Sequence, residues 1–478
     1  MTPIIIGSEF RDKVYACWLG KNIGGTLGAP YECRRHTHAL TYYDPVPDQA
    51  APNDDLDLQL VWLQALEQEG LDPPLPVLAD YWARHAASYP WNEYGFFMRN
   101  YTRGLRPPIA GCFENYFVDE MGSPIRSEIW ACLHAGDPQS AAAVAWRDSA
   151  IDHAGGEGTC GEMFWAAVEA AAFVETDPMT LIHIGLNMIP LSSHVARAIR
   201  EAVWCHQNGY NWGNARERLA SRFGHLQPCN AVPNHGFIIL GWLYGNSFGD
   251  RLCRAVNCGY DTDCTGATLG ALLGILGGTA GIPAEWRDPI GTDIVLHKFT
   301  RGLDAPATLE ALTDRTVALA HRAAADKAEV RFERATSLPD DCLTRLFRND
   351  KARRARRGDI HAAVAMCGPR QVSLHYGGEP VLRPGIGKQV RITVEGEPAE
   401  VDLEVPQDWS CRRLEPGRFE LFTEGVVSDR NEVVVRLGDE SVGFAMLGPG
   451  EARGFPAGGK VPTCPTCRAR VEACICPK

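Results

Sequence analysis

The sequence predicts a mainly α-helical protein with a small β-sandwich and a short cysteine-rich tail behind it. Three observations carry this. The first two thirds of the chain hold Ala-, Leu- and Gly-rich stretches with helical spacing. After about residue 365 the pattern changes to period-two alternation between turn residues. The last fifteen residues hold four thiols, Cys464, Cys467, Cys474 and Cys476.

The helical elements follow in order. Leu58 to Leu66 repeats apolar residues at helical spacing behind an acidic start. Glu162 to Val174 is an Ala-rich buried helix. Thr265 to Leu276 is small and apolar all round, as befits a central helix closely packed by its neighbours. Pro306 to Thr336 makes one or two further helices, with proline suited to a first turn. The strands expected next are Gln371–Tyr376, Gln389–Glu395, Phe419–Phe422 and Glu432–Leu437. The resulting division is a helical domain over 1–337, a charged linker over 338–364, a β-sandwich over 365–452 and a zinc knuckle over 460–478. A Cys-x-x-Cys pair followed by Cys474 and Cys476 has structural-zinc spacing, and so short a segment has no core of its own. A bare tail without metal is the alternative.

Composition excludes several classes. The chain of 478 residues carries a net charge of −12, and its one dense basic run, Lys351 to Arg357, fits a solvated helix or linker. No nucleic-acid partner is expected. No apolar run of about 18 residues occurs and the N-terminus lacks signal-peptide character, so no membrane partner is expected either. The seventeen scattered cysteines then imply reduced thiols in a cytoplasm. Nothing in the sequence sets the oligomeric state.

Two acidic segments carry the chemistry. Asn53, Asp54 and Asp55, with Asp57, lead into one helix. Asp261 and Asp263 follow Gly259 and lead into another. Helix capping explains any single one of them. It does not explain the clustering, because carboxylates about 4 Å apart repel by roughly 4 kcal/mol per pair at an effective dielectric near 20. A hard divalent cation removes that cost. The alternative is two capped helices with a solvated acidic patch. Between these segments, Ser149 to Glu162 is rich in glycine and polar residues, as if wrapped around a ligand, with backbone N–H groups able to hold phosphate. Asn115 to Arg126 is a further candidate pocket wall, and Asn234 and His235 form a weak candidate in a loop before a helix.

These residues resemble the ADP-ribosylglycohydrolase family, which includes the dinitrogenase reductase activating glycohydrolase. The family's opening pattern, GxxxGDxxGxxxE, is matched by Gly20, Gly24, Gly28 and Glu32. Its Thr-Asp-Asp-Thr motif is matched at Asn53, Asp54, Asp55 and Leu56, and its GxDTDT motif at Gly259, Asp261, Thr262, Asp263 and Cys264. Ile282, Pro283 and Trp286 fit its ending. The resemblance implies an all-helical fold with one or two Mg2+ or Mn2+ ions in a central cleft, bound by Asn53, Asp54, Asp55, Asp261, Asp263 and Cys264. It also implies hydrolysis of an N- or O-glycosidic bond to ADP-ribose or a related riboside. Among the positions that depart from the family, Asn53 and Cys264 replace threonines, and Gly25 replaces an aspartate. A thiol is a poorer partner for Mg2+.

For the chemistry, Glu32 is the first candidate for the base that takes a proton from water, and Asp55 the second. A surface glutamate after a helix is the alternative for Glu32. Gly122, Ser123, His153, Gly155 and Gly156 are the expected substrate-binding residues; His153 aligns with a Thr-His pair of the family, with a buried structural histidine as the alternative. The substrate is expected to be a small molecule or an ADP-ribosylated one. Two other functions stay open: an inactive ADP-ribose- or nucleotide-binding module, and a hydrolase of a small-metabolite N-riboside.

Overall fold

The computed structural model describes residues 2–86, 92–325 and 329–449. Its centre is an antiparallel pair of helices, Phe10–Gly28 and Thr262–Gly277, both buried on nearly every side. Small residues make this pairing possible. Gly20 meets the backbone of Gly270, Gly24 that of Gly266 and Gly28 that of Thr262. A Cβ placed on Gly24 would lie 1.9 Å from the Gly266 carbonyl oxygen. Gly24→Ala is therefore expected to cost about 3 kcal/mol, at the upper end for an overpacked core, read as a lower urea midpoint with unchanged slope.

Around this pair pack Asp54–Glu69, Glu157–Ala172, Ala231–Tyr244 and Leu309–Ala325. The outer helices His194–Gln207, Trp212–Phe223 and Phe248–Val256 each bury only one face. Their starts follow from side chains that accept from the first-turn N–H groups: Ser193, Asn211 and Ser247 cap them. No helix among the described residues is long and apolar enough to cross a membrane.

The segment Pro306 to Thr336 differs from expectation. It holds one helix, Leu309–Ala325, and then a strand, Val330–Phe332, which pairs in parallel with Ile4–Ile6 at the other end of the helical region. The expected linker 338–364 also differs. It forms two short helices, Cys342–Leu346 and Asp350–Ala355, packed onto the helical body. Apolar residues among the charges explain this: Leu346 and Ala352 are buried, and Asn349 Nδ2 donates to Asn187 O at 3.0 Å.

The β-region starts at Ala362 rather than 365. One antiparallel sheet runs in the order Ala362–Cys367, Arg370–His375, Lys388–Val394, Arg418–Phe422, Ser410–Glu415. A second holds Glu440–Leu447, Arg430–Leu437 and Asp402–Glu404. Their buried residues share one apolar core. The first strand is tied to the helical region, since Val364 N donates to Pro107 O at 3.0 Å. The tail cysteines Cys464, Cys467, Cys474 and Cys476 lie outside the described residues.

Candidate functional site

The glycine-packed helix pair brings the three acidic segments together. Gly28 abuts Thr262, whose Oγ1 donates to Gly28 O at 2.8 Å. Glu32 thus follows the end of one helix beside the start of the other. Gly259 and Tyr260, at φ +77° and +72°, make the sharp turn before Asp261. Hydrogen bonds to the Glu32 segment fix that turn: Cys33 N donates to Tyr260 O at 2.9 Å, and Tyr260 N to Arg34 O at 2.8 Å.

Two overlapping donor groups result. Ligand atoms of Glu32, Asp261 and Asp263 lie within 4.8 Å of one another, as do those of Asp55, Asp263 and Cys264. Asp261 precedes its helix without capping it through its side chain. Both carboxylate oxygens of Asp261 and both of Asp55 are buried and, among the described residues, have no hydrogen-bond partner. Desolvation, then Asp263 and Glu32, hold the Asp261 carboxyl well above the usual range. Asp263 is raised by desolvation and then by Glu32. Glu32 stands at the exposed rim with its carboxyl dipping among these acids; desolvation, then Cys33 and Asp54, push it up to about 8. Asp54 is half-buried beside them and is raised mainly by desolvation. A group of oxygens so crowded and so poor in donors fits a divalent cation.

The remaining predicted ligands behave differently. Asn53 spends its Oδ1 on the Asp55 N–H at 2.9 Å as a helix cap, while its buried Nδ2 has no partner. Gly25 lies against that side chain: a Cβ there would sit 2.3 Å from Asn53 Nδ2. The two departures at Asn53 and Gly25 are therefore in contact, the larger residue filling the room the smaller one leaves. Asp57 faces away, accepting from His297 N at 2.6 Å and Thr300 Oγ1 at 2.8 Å. Cys264 is nearly buried and brings a thiol into the group of Asp55 and Asp263.

The expected substrate-binding residues sit behind the acids. Ser123 is fully buried and donates to Glu162. His153 is fully buried, with Nδ1 2.6 Å from Asp152 and Nε2 3.6 Å from Glu93. Gly122 lies against Glu93 and Tyr94, Gly155 against Ile360, and Gly156 against the Val118 carbonyl. Three of the N–H groups expected to cradle phosphate are bonded within the protein. Gly156 N donates to His153 O, Gly158 N to Val118 O and Glu157 N to Asp119 Oδ1, at 2.9, 3.2 and 2.7 Å. Helix starts need such acceptors when no ligand supplies them. Asn234 lies inside the helix Ala231–Tyr244 rather than in a loop, and its Oδ1 accepts from Asp261 N at 3.3 Å. His235 is a core residue, stacked on Trp165 and lowered to about 4 by burial.

Sequence patterns missed the charges that surround the site. Lys21, fully buried, lies 2.7 Å from Glu128 and 4.0 Å from Asp55. The signal was present: it is the only charged residue between Trp18 and Gly28. Glu93 is buried beside Glu120 and adds its negative field to Asp54. Two cavities of about 510 and 680 Å³, lined by His375 and Arg391 and by Trp146 and Arg147, include none of these acids.

His153 gives a pH prediction. Burial alone would lower its imidazole, but Asp152 and Glu93 outweigh it and push it up to about 9. The stabilisation is fully present below the unfolded value near 6.5 and is lost as pH rises through about 9. The urea midpoint of the natural chain should therefore fall between pH 7 and 10, by an amount corresponding to about 3 kcal/mol. His153→Gln should flatten that fall, and an equally steep fall in the variant would contradict the assignment.

The family model described as "ADP-ribosylglycohydrolase" matches residues 7–327. A solved structure described as "ADP-ribosylglycohydrolase-related protein complex" is similar at 20% identity, covering 65% of this chain and 99% of that chain, with a TM-score of 0.47. None of the curated proteins matches the chain.

Proposed function

The chain belongs to the ADP-ribosylglycohydrolase family and is on that ground a glycoside hydrolase; on this premise we propose that it cleaves an N- or O-glycosidic bond to ADP-ribose or a related riboside, using one or two Mg2+ or Mn2+ ions. The observation that carries the metal is the set of buried, donor-less oxygens on Asp55 and Asp261, each of which has Asp263 as a close neighbour. Asp54, Asp55, Asp261 and Asp263 would hold the ions, with Asn53 and Cys264 at their edge. Bound there, the cations would supply charge neutralisation and orientation of the sugar hydroxyls and the attacking water.

The chain's own residues do the rest. Bond cleavage builds positive charge at the anomeric carbon, and water adds there as the leaving group departs. Glu32, on the exposed rim within 4.8 Å of Asp261 and Asp263, takes the proton from that water. Asp55 helps to position the water, and Lys21, paired with Glu128, holds Asp55 from behind. Asn234 steadies the backbone of Asp261. His153, behind Glu93, shapes the wall that faces the substrate.

The test is a panel of N- and O-linked ADP-ribosides and simple ribosides incubated with the protein and Mn2+ or Mg2+, with released sugar as the readout. No release from any of them, with or without metal, would reject hydrolysis. Glu32→Gln is expected to lower kcat by about 10²–10⁴-fold with little change in KM. A second function, ligand binding without turnover, is favoured by the thiol of Cys264 among hard ligands; calorimetric binding of ADP-ribose with no sugar release would establish it. We further propose that the four tail cysteines hold a structural zinc ion and that the chain works in a reducing cytoplasm. Its partner is then a small-molecule or ADP-ribosylated substrate rather than nucleic acid or membrane.

A further inference from the structure

A third donor group lies beside the acids, and of its members the hydrolysis described above uses only Glu32. The Cys33 and Cys229 sulfurs and a Glu32 carboxylate oxygen lie within 4.8 Å of one another. Cys33 Sγ donates to Glu32 Oε1 at 3.5 Å. Neither cysteine is in a disulfide, both are half-buried, and Glu32 is exposed, so the group opens to solvent. Their backbones are held independently of one another. Cys33, at φ +65°, is bonded to Tyr260 as described, and Cys229 O accepts from Met121 N at 2.8 Å just before the Ala231–Tyr244 helix.

The donor chemistry differs from that of the inner acids. Two sulfurs and one carboxylate oxygen make a soft set, suited to zinc-like ions rather than Mg2+. Around a tetrahedral ion with metal–sulfur bonds near 2.3 Å, donors stand about 3.8 Å apart. Atoms already within 4.8 Å need to close only slightly to reach that spacing. Asp261 adds negative field at Cys229, which attracts a cation. We propose that Glu32, Cys33 and Cys229 form a site for a thiophilic divalent cation, with water in the fourth position, and that its occupant competes with the hydrolytic centre for Glu32. On binding, each thiol loses its proton to solvent and forms one sulfur–metal bond; no electrons are transferred. The competition rests on the role proposed for Glu32, whereas the binding does not.

The test uses the full chain under a phosphine reductant, in a background in which Cys464, Cys467, Cys474 and Cys476 are all serine. Cd2+ is the probe, read by equilibrium dialysis and by its thiolate charge-transfer absorption. With excess Mg2+ present to fill the inner acids, one further Cd2+ per chain with a two-thiolate band is expected. Cys33→Ser and Cys229→Ser should each halve the band and weaken binding by at least about 10-fold, while Cys264→Ser leaves both intact. A band that survives both substitutions, or that vanishes only with Cys264→Ser, would overturn the site. For competition, Zn2+ added over excess Mg2+ should suppress turnover in this background and require at least about 10-fold more Zn2+ in Cys229→Ser. Equal inhibition of both would overturn the competition while leaving the binding result to stand by itself, and a chain inactive on every riboside would still give the Cd2+ result.

Discussion

Asp261→Ala is expected to lower metal-dependent glycoside hydrolysis by more than about 10²-fold, since even outer partners of metal ligands cost 10–100-fold. Asp261 is 1% exposed, and neither of its oxygens has a donor. Desolvation first, then its neighbours Asp263 and Glu32, disfavour its charged form. Removing it therefore relieves repulsion in the metal-free protein, whose Tm should hold or rise. The stabilisation gained on adding Mn2+, about 2.7 kcal/mol at a hundredfold excess over Kd, should shrink strongly. This pair of opposite effects separates a ligand from a packing residue, which would lose Tm in the metal-free state. Asp54→Ala is expected to act in the same direction. Full metal-dependent turnover in Asp261→Ala would remove the basis for the site.

Arg126→Met should give the largest loss of stability. The guanidinium is fully buried, lies 2.8 Å from Asp148, and meets both oxygens of Asp152 at 2.9 and 3.0 Å. It also stands over the Trp82 ring, 4.3 Å from its centroid. Methionine fills much of the volume but leaves two buried carboxylates without their cation. Breaking one side of such a cluster costs about 3–5 kcal/mol. Chemical denaturation at pH 7 measures it, and adding Asp148→Asn and Asp152→Asn to the variant should recover part of the loss. A cost below about 1 kcal/mol would mean that water or repacking satisfies the two acids.

The central acids of the candidate site were legible because they lie in short clusters at helix starts. Asp54 and Asp55, then Asp261 and Asp263, are too dense to be caps alone, and the small residues from Thr265 onward announce a helix in close contact with another. The electrostatic surroundings were not legible, because they are pairings across the fold. Lys21 meets Glu128 and Arg126 meets Asp152, and no local pattern encodes such partners. Cys33 and Cys229 meet for the same reason.

The β-region divides along similar lines. Lys388–Val394 and Arg430–Leu437 alternate between buried and exposed positions and were visible in the sequence. Ala362–Cys367 is buried on both faces, so it has no alternation to detect. Ser410–Glu415 fails for the opposite reason, since none of its residues is buried. The parallel strand Val330–Phe332 is three residues long, and its partner lies at the other end of the helical region.

That small parallel pair decides where the helical unit can be cut. Ile5 is stitched to Ser337 by two backbone hydrogen bonds, at 2.9 and 3.1 Å, and Thr2 O receives Arg345 Nη1 at 2.6 Å. A fragment spanning only 7–327 would lack both strands and leave the flanks of Phe10 and Gly136, which pack near them, open to water. The helical body is in effect a loop of chain sutured at its ends. Any excised version must therefore carry the seam with it, from Thr2 through Arg345.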